Sequence, residues 1–110
     1  MNQALLVSTT ETVAGYEVAE VLGIARGNVI RAKHIGTDVI ASLRNLVGGE
    51  VREYTKLMAE AREQSMDRMM ENARSMGADA VVTVRFQTAM VMAGSAEMLA
   101  YGTAVKLKPA

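Results

Sequence analysis

The 110-residue sequence predicts an α+β domain in which an antiparallel sheet packs against one long helix and one short helix. Hydrophobic residues recur with a helical period between residues 37 and 47 and again between residues 50 and 76. From residue 78 onward they alternate with a period of two, which is typical of strands. A chain of 11.8 kDa has room for one hydrophobic core, so residues 1–110 are expected to form a single domain.

The first part of the chain predicts a β-hairpin over residues 16–34, with a short extra strand near Leu5–Thr10 at the sheet edge. Tyr16, Val18 and Leu22 lie in the outgoing strand. Gly23 and Gly27 then bracket a predicted turn, since glycine adopts backbone angles that other residues resist.

Two helices are predicted next, separated by Gly48 and Gly49. The short helix covers residues 37–47, and the long one runs from about Glu50 to Met76. Gly77 is placed to cap the long helix in a left-handed conformation. One apolar face is predicted for the long helix, formed by Val51, Tyr54, Leu57, Met58, Ala61, Ser65, Met69, Ala73 and Met76.

The C-terminal part predicts two strands joined by a turn at Ala93-Gly94-Ser95. One face of the last strand carries the small residues Ala100, Gly102 and Ala104, which permit close approach of another segment. Because one helix cannot cover both faces of the sheet, apolar surface is left over. Such a surplus usually marks subunit contacts, so we expect a homo-oligomer.

Composition excludes several classes of function. Twelve basic and twelve acidic residues give a formal net charge of zero, which disfavours nucleic-acid binding. No apolar run approaches the ~18 residues of a membrane span, and the N-terminus lacks the basic region of a signal peptide. We therefore expect a soluble, cytoplasmic protein without membrane contact. The absence of cysteine removes disulfides and thiolate metal ligands.

The candidate metal ligands are His34, the single histidine, and Asp38, which lies within reach if the chain between them is helical. One histidine without cysteine makes a strong site only if several subunits contribute. A histidine that ends a strand with a satisfied hydrogen bond is the simpler interpretation.

Three other patterns have plain structural explanations. The nine methionines could bind a soft ion, but they also fill cores and interfaces. The acidic stripe Glu60, Glu63, Asp67 and Glu71 is interleaved with arginines, as on an ordinary solvated helix face. Gly48 and Gly49 precede a helix as in anion-binding loops, but no Gly-Lys-Ser/Thr follows.

Several fragments, in their order and spacing, resemble the YbjQ-like family of small bacterial and archaeal proteins, and the resemblance extends from about Val7 to Leu107. The fragments are Gly15-Tyr16-Glu17, Val21-Leu22-Gly23, Leu43-Arg44-Asn45-Leu46-Val47-Gly48-Gly49, Gly77-Ala78-Asp79-Ala80-Val81-Val82 and Tyr101-Gly102-Thr103-Ala104-Val105.

The resemblance implies a dodecin-like β-α-β-β type subunit assembled into a ring-shaped homopentamer. Through the family's description as heavy-metal-binding, and through that description alone, it also implies a divalent metal as a cofactor, without an established activity. Asp38, Arg44, Gly48 and Gly49 match recurring positions of the family pattern and are carried over as motif members of unknown role. Many relatives have Arg-Ser after the glycine pair, where this chain has Glu50-Val51.

Three hypotheses about function follow. The first is a ring-forming binding module that holds a small ligand or metal ion at subunit boundaries, with His34, Asp38 and Arg44 as contributors. The second is a structural or protein-binding oligomer without a small ligand. The third, ranked last, is an enzyme that uses carboxylates or Tyr101. We favour the first, because rings create shared concave sites that a small monomer lacks.

Overall fold

The computed structural model describes residues 4–32, 48–92 and 95–110. Within these ranges the chain forms four strands and one long helix, α1. In chain order the elements are β1 (Leu6–Val7), β2 (Tyr16–Ala32), α1 (Gly48–Ser75), β3 (Ala80–Met92) and β4 (Ser95–Pro109). The predicted short helix over residues 37–47 and the first two residues of the predicted turn, Ala93 and Gly94, lie outside the described residues.

The four strands form one mixed sheet in the order β1-β3-β4-β2. The α+β class is thereby confirmed, but the prediction of a wholly antiparallel sheet is wrong at one edge. There β1 pairs parallel with β3, with Leu6 opposite Ala80. A parallel neighbour is possible because a long crossover, comprising β2 and α1, separates β1 from β3 in the chain.

The predicted hairpin over residues 16–34 is wrong, because β2 is a single 17-residue strand. It pairs with β4 along its whole length, from Tyr16 opposite Pro109 to Ala32 opposite Ser95. Gly23, with a φ of +134°, lies at a register shift between Val21 and Gly23 and accommodates a bulge instead of a turn.

Gly27, the second predicted turn glycine, serves a close approach between β2 and α1. A Cβ at this position would overlap backbone atoms of Ser65, Arg68 and Met69 in the helix. The absence of a side chain therefore lets the helix pack directly on the strand.

The buried face of α1 agrees with the helical period of the sequence. Ala61, Ser65, Met69 and Ala73 are buried, while the charged residues of the predicted opposite face that the structure describes are exposed. The helix packs mainly over β2 and β4. The largest core cluster comprises Ala25, Met69, Ala73, Val81, Val84, Ala100 and Ala104. The small residues Ala100, Gly102 and Ala104 of β4 are buried.

Gly77 ends the helix as predicted, with a φ of +81°. The Ala78 N–H donates to the Ala73 carbonyl at 3.1 Å, and the Gly77 N–H donates to the Arg74 carbonyl at 3.0 Å. This pair of bonds is the Schellman motif, which satisfies carbonyls that the helix end would otherwise leave free. The direction of the chain into β3 is fixed by this cap.

Candidate functional site

Most residues singled out from the sequence cannot be placed in a site. His34, Asp38 and Arg44 lie outside the described residues. Gly48 and Gly49 are the first two residues of α1, so α1 starts two residues earlier than predicted. Over the ranges the structure describes, no group of three or more His, Cys, Asp or Glu side chains is arranged to hold a metal ion.

Among the described residues, α1 packs on one face of the sheet and no helix packs on the other. Val18, Val21 and Ile24 of β2 point to this open face, and Val21 and Ile24 are 64% and 67% exposed. We call these three residues the apolar patch. It adjoins a small buried cluster formed by Ala80, Val82 and Val105, with Val13 and Leu107 packed against it. The buried cluster and the exposed apolar patch therefore form one continuous apolar surface on this face of the sheet.

Within the part of the chain that the structure describes, the outer edge of β3 is paired only at its start. The β1 segment and the residues after it hydrogen-bond as far as Val84, whose N–H donates to the Ser8 carbonyl at 3.0 Å. Beyond Val84 no described strand pairs with that edge. Two large apolar side chains, Phe86 and Met90, are exposed there. Unpaired edges of this kind are templates for association with another strand.

A polar depression of about 560 Å³ lies beside the apolar patch, where β2 and β4 run together. Arg26, Asn28, Asn72, Glu97 and Leu99 line it. Asn28 stands opposite Leu99 in the sheet, Arg26 lies two residues to one side, and Glu97 lies two residues to the other. A cation and a carboxylate therefore flank an apolar side chain.

Three hydrogen bonds organise this polar depression. The Arg26 N–H donates to Asn72 Oδ1 at 3.0 Å, and Arg68 Nη1 donates to the Asn28 carbonyl at 2.8 Å. These bonds tie α1 to the outer edge of β2. In addition, Asn28 Nδ2 donates to Glu97 Oε2 at 3.3 Å, which joins β2 to β4 through their side chains. The lining residues are thus held by backbone and side-chain contacts from three elements.

Of the two charged side chains that line the depression, Arg26 forms no side-chain hydrogen bond with another described residue, whereas Glu97 accepts one. The Arg26 side chain is exposed, and it forms no ion pair with a carboxylate of the described residues. Glu97 is half-buried and uses one carboxylate oxygen for Asn28. The depression therefore offers guanidinium donors at one end and a carboxylate acceptor at the other, with Leu99 between them.

This depression was not predicted from the sequence, because the predicted hairpin placed Arg26 in a turn. The alternation of Arg26, Asn28 and Ile30 along one strand face was the available signal. A second signal was Asn72, which borders the buried stripe of α1 near Met69 and Ala73. A polar amide next to an apolar stripe often bonds a backbone group of the neighbouring element.

Replacing Asn72 by alanine tests whether this residue fastens α1 to β2. The Asn72→Ala variant should lose about 1 kcal/mol of unfolding free energy, since the Arg26 N–H loses its side-chain acceptor. Urea denaturation followed by circular dichroism measures the loss. Asn72→Asp keeps an oxygen acceptor and should lose less. Equal losses in the two variants would contradict the assigned hydrogen bond.

No helix in the described ranges is both long and apolar enough to cross a membrane.

Comparison with known proteins places the chain in a family. The sequence profile of the YbjQ family, whose description is "Putative heavy-metal-binding", matches residues 5–108. The chain belongs to the YbjQ family. This confirms the resemblance identified from the sequence fragments.

Relatives within the YbjQ family are similar over nearly the whole chain. A UPF0145 protein of Methanosarcina acetivorans is 58% identical over 103 residues, which are 94% of this chain and 97% of the relative. A UPF0145 protein of Archaeoglobus fulgidus is 54% identical over 108 residues, covering 98% of this chain and 100% of the relative. These relatives establish the family, and their names state no activity.

One solved structure supports the fold. A protein of unknown function from Pediococcus pentosaceus, assigned to the DUF74 family, matches with a TM-score of 0.60 and 14% sequence identity. The match covers 96% of this chain and 100% of that one. At this identity the likeness concerns the fold alone. It agrees with the α+β fold of this chain.

Proposed function

We propose that this YbjQ family chain is the subunit of a ring-shaped homo-oligomer, a pentamer, that works as a binding module. Its ligand, a small molecule or a metal ion, is held at subunit boundaries. The main support for this proposal is the exposed surface area of one subunit, because it is larger than the surface area of a typical monomeric protein of the same mass.

The subunit exposes 7319 Å². A monomeric protein of 11.8 kDa exposes about 5,900 Å², so the excess is about 1,400 Å². The radius of gyration is also larger than that of a compact monomer, at 17.4 Å against about 13 Å for a compact chain of this length. An excess of this size matches the area that a subunit buries when it contacts two neighbours of standard interface size.

The proposed contacts are the apolar patch and the free edge of β3. They lie on different parts of the sheet, so a contact that joins one to the other is heterologous. Heterologous contacts generate closed rings when the rotation between subunits closes. The exposed Phe86 and Met90 supply apolar area at the β3 edge, and Val21 and Ile24 supply it on the patch.

A metal ion is one candidate ligand, supported by the family's description. The donor set of a single chain, His34 and Asp38 without any cysteine, is too small for a tight soft-metal site. It fits a divalent ion only where several copies contribute, which is why this part of the proposal depends on the ring. Arg44 is the third contributor that we assign to the boundary.

Native mass spectrometry of untagged protein tests assembly and metal binding together. We expect an assembly of about five subunit masses, and a metal adduct after incubation with Zn²⁺ or Ni²⁺ that the His34→Ala variant loses. A polyhistidine tag must be absent, since it binds the same ions. A monomer would overturn the ring. A pentamer whose adduct persists in His34→Ala would overturn the proposed metal ligand.

A further inference from the structure

We propose that the polar depression formed by Arg26, Asn28, Asn72, Glu97 and Leu99 binds a short linear zwitterion of tripeptide length, with the ligand's carboxylate at Arg26 and its ammonium group at Glu97. The inference rests on the proposed binding function, since it names a ligand class for the module. The site itself is complete within one subunit and does not require the ring.

The charges of the depression select a ligand with both signs. A simple anion would be attracted by Arg26 but repelled by the carboxylate of Glu97. A simple cation would be attracted by Glu97 but repelled by Arg26. A guanidinium binds a carboxylate through two parallel N–H donors, and a carboxylate accepts from an ammonium group equally well. A zwitterion satisfies both ends at once.

The strand register sets the length of the ligand. Arg26 stands opposite Tyr101, and Glu97 lies four residues further back along β4. Four residues of strand correspond to about 14 Å, far more than the separation of the two charges in one amino acid. An extended tripeptide spans about 10 Å. The long Arg26 and Glu97 side chains can close the remainder, and 560 Å³ accommodates a molecule of that size.

The remaining groups suit the middle of a peptide. Asn72 Oδ1 is occupied by the Arg26 N–H, so its amide nitrogen is left to donate to a peptide carbonyl. Asn28 Nδ2 is occupied by Glu97, so Asn28 Oδ1 is left to accept from a peptide N–H. Leu99, half-buried between them, offers apolar contact to a central side chain.

Calorimetric titration with trialanine and two capped forms tests the assignment. Acetylation removes the ammonium group and amidation removes the carboxylate, and each cap should weaken binding at least about tenfold, the value of one lost charge-assisted hydrogen bond. Arg26→Gln should weaken binding of trialanine but not weaken the amidated form further. Glu97→Gln, which keeps an oxygen acceptor for Asn28, should weaken the binding of trialanine. It should not further weaken the binding of the acetylated form.

Arg62→Gln is the matched control, because Arg62 is an exposed arginine of α1 that does not line the depression. It should leave trialanine affinity unchanged. Absence of trialanine binding at millimolar concentration, equal affinity for free and capped peptides, or an equal loss in Arg62→Gln would overturn the inference. Native mass spectrometry on the same samples reports assembly separately, so a failed ring and an empty depression give different results.

Discussion

Replacing Gly27 by alanine is expected to destabilise the fold by about 3 kcal/mol, the upper part of the range for an overpacked core. The added Cβ would meet the Met69 nitrogen, the Ser65 carbonyl oxygen and the Arg68 carbonyl carbon. These are backbone atoms of α1, which cannot rotate away as a side chain can. The helix must therefore lift from β2. Urea denaturation followed by circular dichroism measures the loss.

Gly15→Ala is the control for this prediction. Gly15 has a φ of +84°, and nothing lies within 4 Å of the point that a Cβ would occupy, so only backbone strain opposes the substitution. That strain costs about 1–2 kcal/mol. If Gly27→Ala were no more destabilising than Gly15→Ala, the close contact between α1 and β2 would be refuted.

The parts of the fold that the sequence predicted well are those with a long, regular period. The apolar stripe of α1 repeats over many turns, so Ala61, Ser65, Met69 and Ala73 could be placed on its buried face. The alternation in β3 and β4 likewise predicts strands at the observed positions. In both cases the residues that define the burial pattern are close together in the sequence.

The hairpin error shows where local pattern fails. A glycine in a turn, a glycine at a bulge and a glycine beneath a helix look alike in sequence, because the residue type is the same in each case. What distinguishes Gly27 is its contact with Ser65 and Met69, which belong to a different element. The parallel pairing of β1 is also non-local, because a strand of two residues carries no signal for its partner.

The polar depression could be predicted only in part for the same reason. Arg26, Asn72 and Glu97 come from three elements that are far apart in the chain. Their proximity follows from the register of β2 against β4 and from the crossing of α1 over β2. Residue types alone identify no ligand until that register is known.

Replacing Val21 by aspartate is expected to dissociate the proposed oligomer while each subunit stays folded. Val21 is 64% exposed in the isolated subunit, so the substitution removes little from the core. In a ring, the same position would place an unpaired carboxylate in every interface. An unpaired buried charge costs several kcal/mol, which corresponds to a rise of about a hundredfold or more in the dissociation constant of each contact.

Sedimentation velocity of Val21→Asp at micromolar concentration, with circular dichroism as the check on folding, measures this effect. Lys56→Glu is the control, because Lys56 is exposed on the polar face of α1 and its substitution also makes the chain more acidic. We expect Lys56→Glu to sediment like the unmodified protein and Val21→Asp as a monomer. A Val21→Asp protein that still assembles would show that the apolar patch lies outside the interface. The excess surface would then have to be covered elsewhere, with the free edge of β3 and its exposed Phe86 and Met90 as the next candidate.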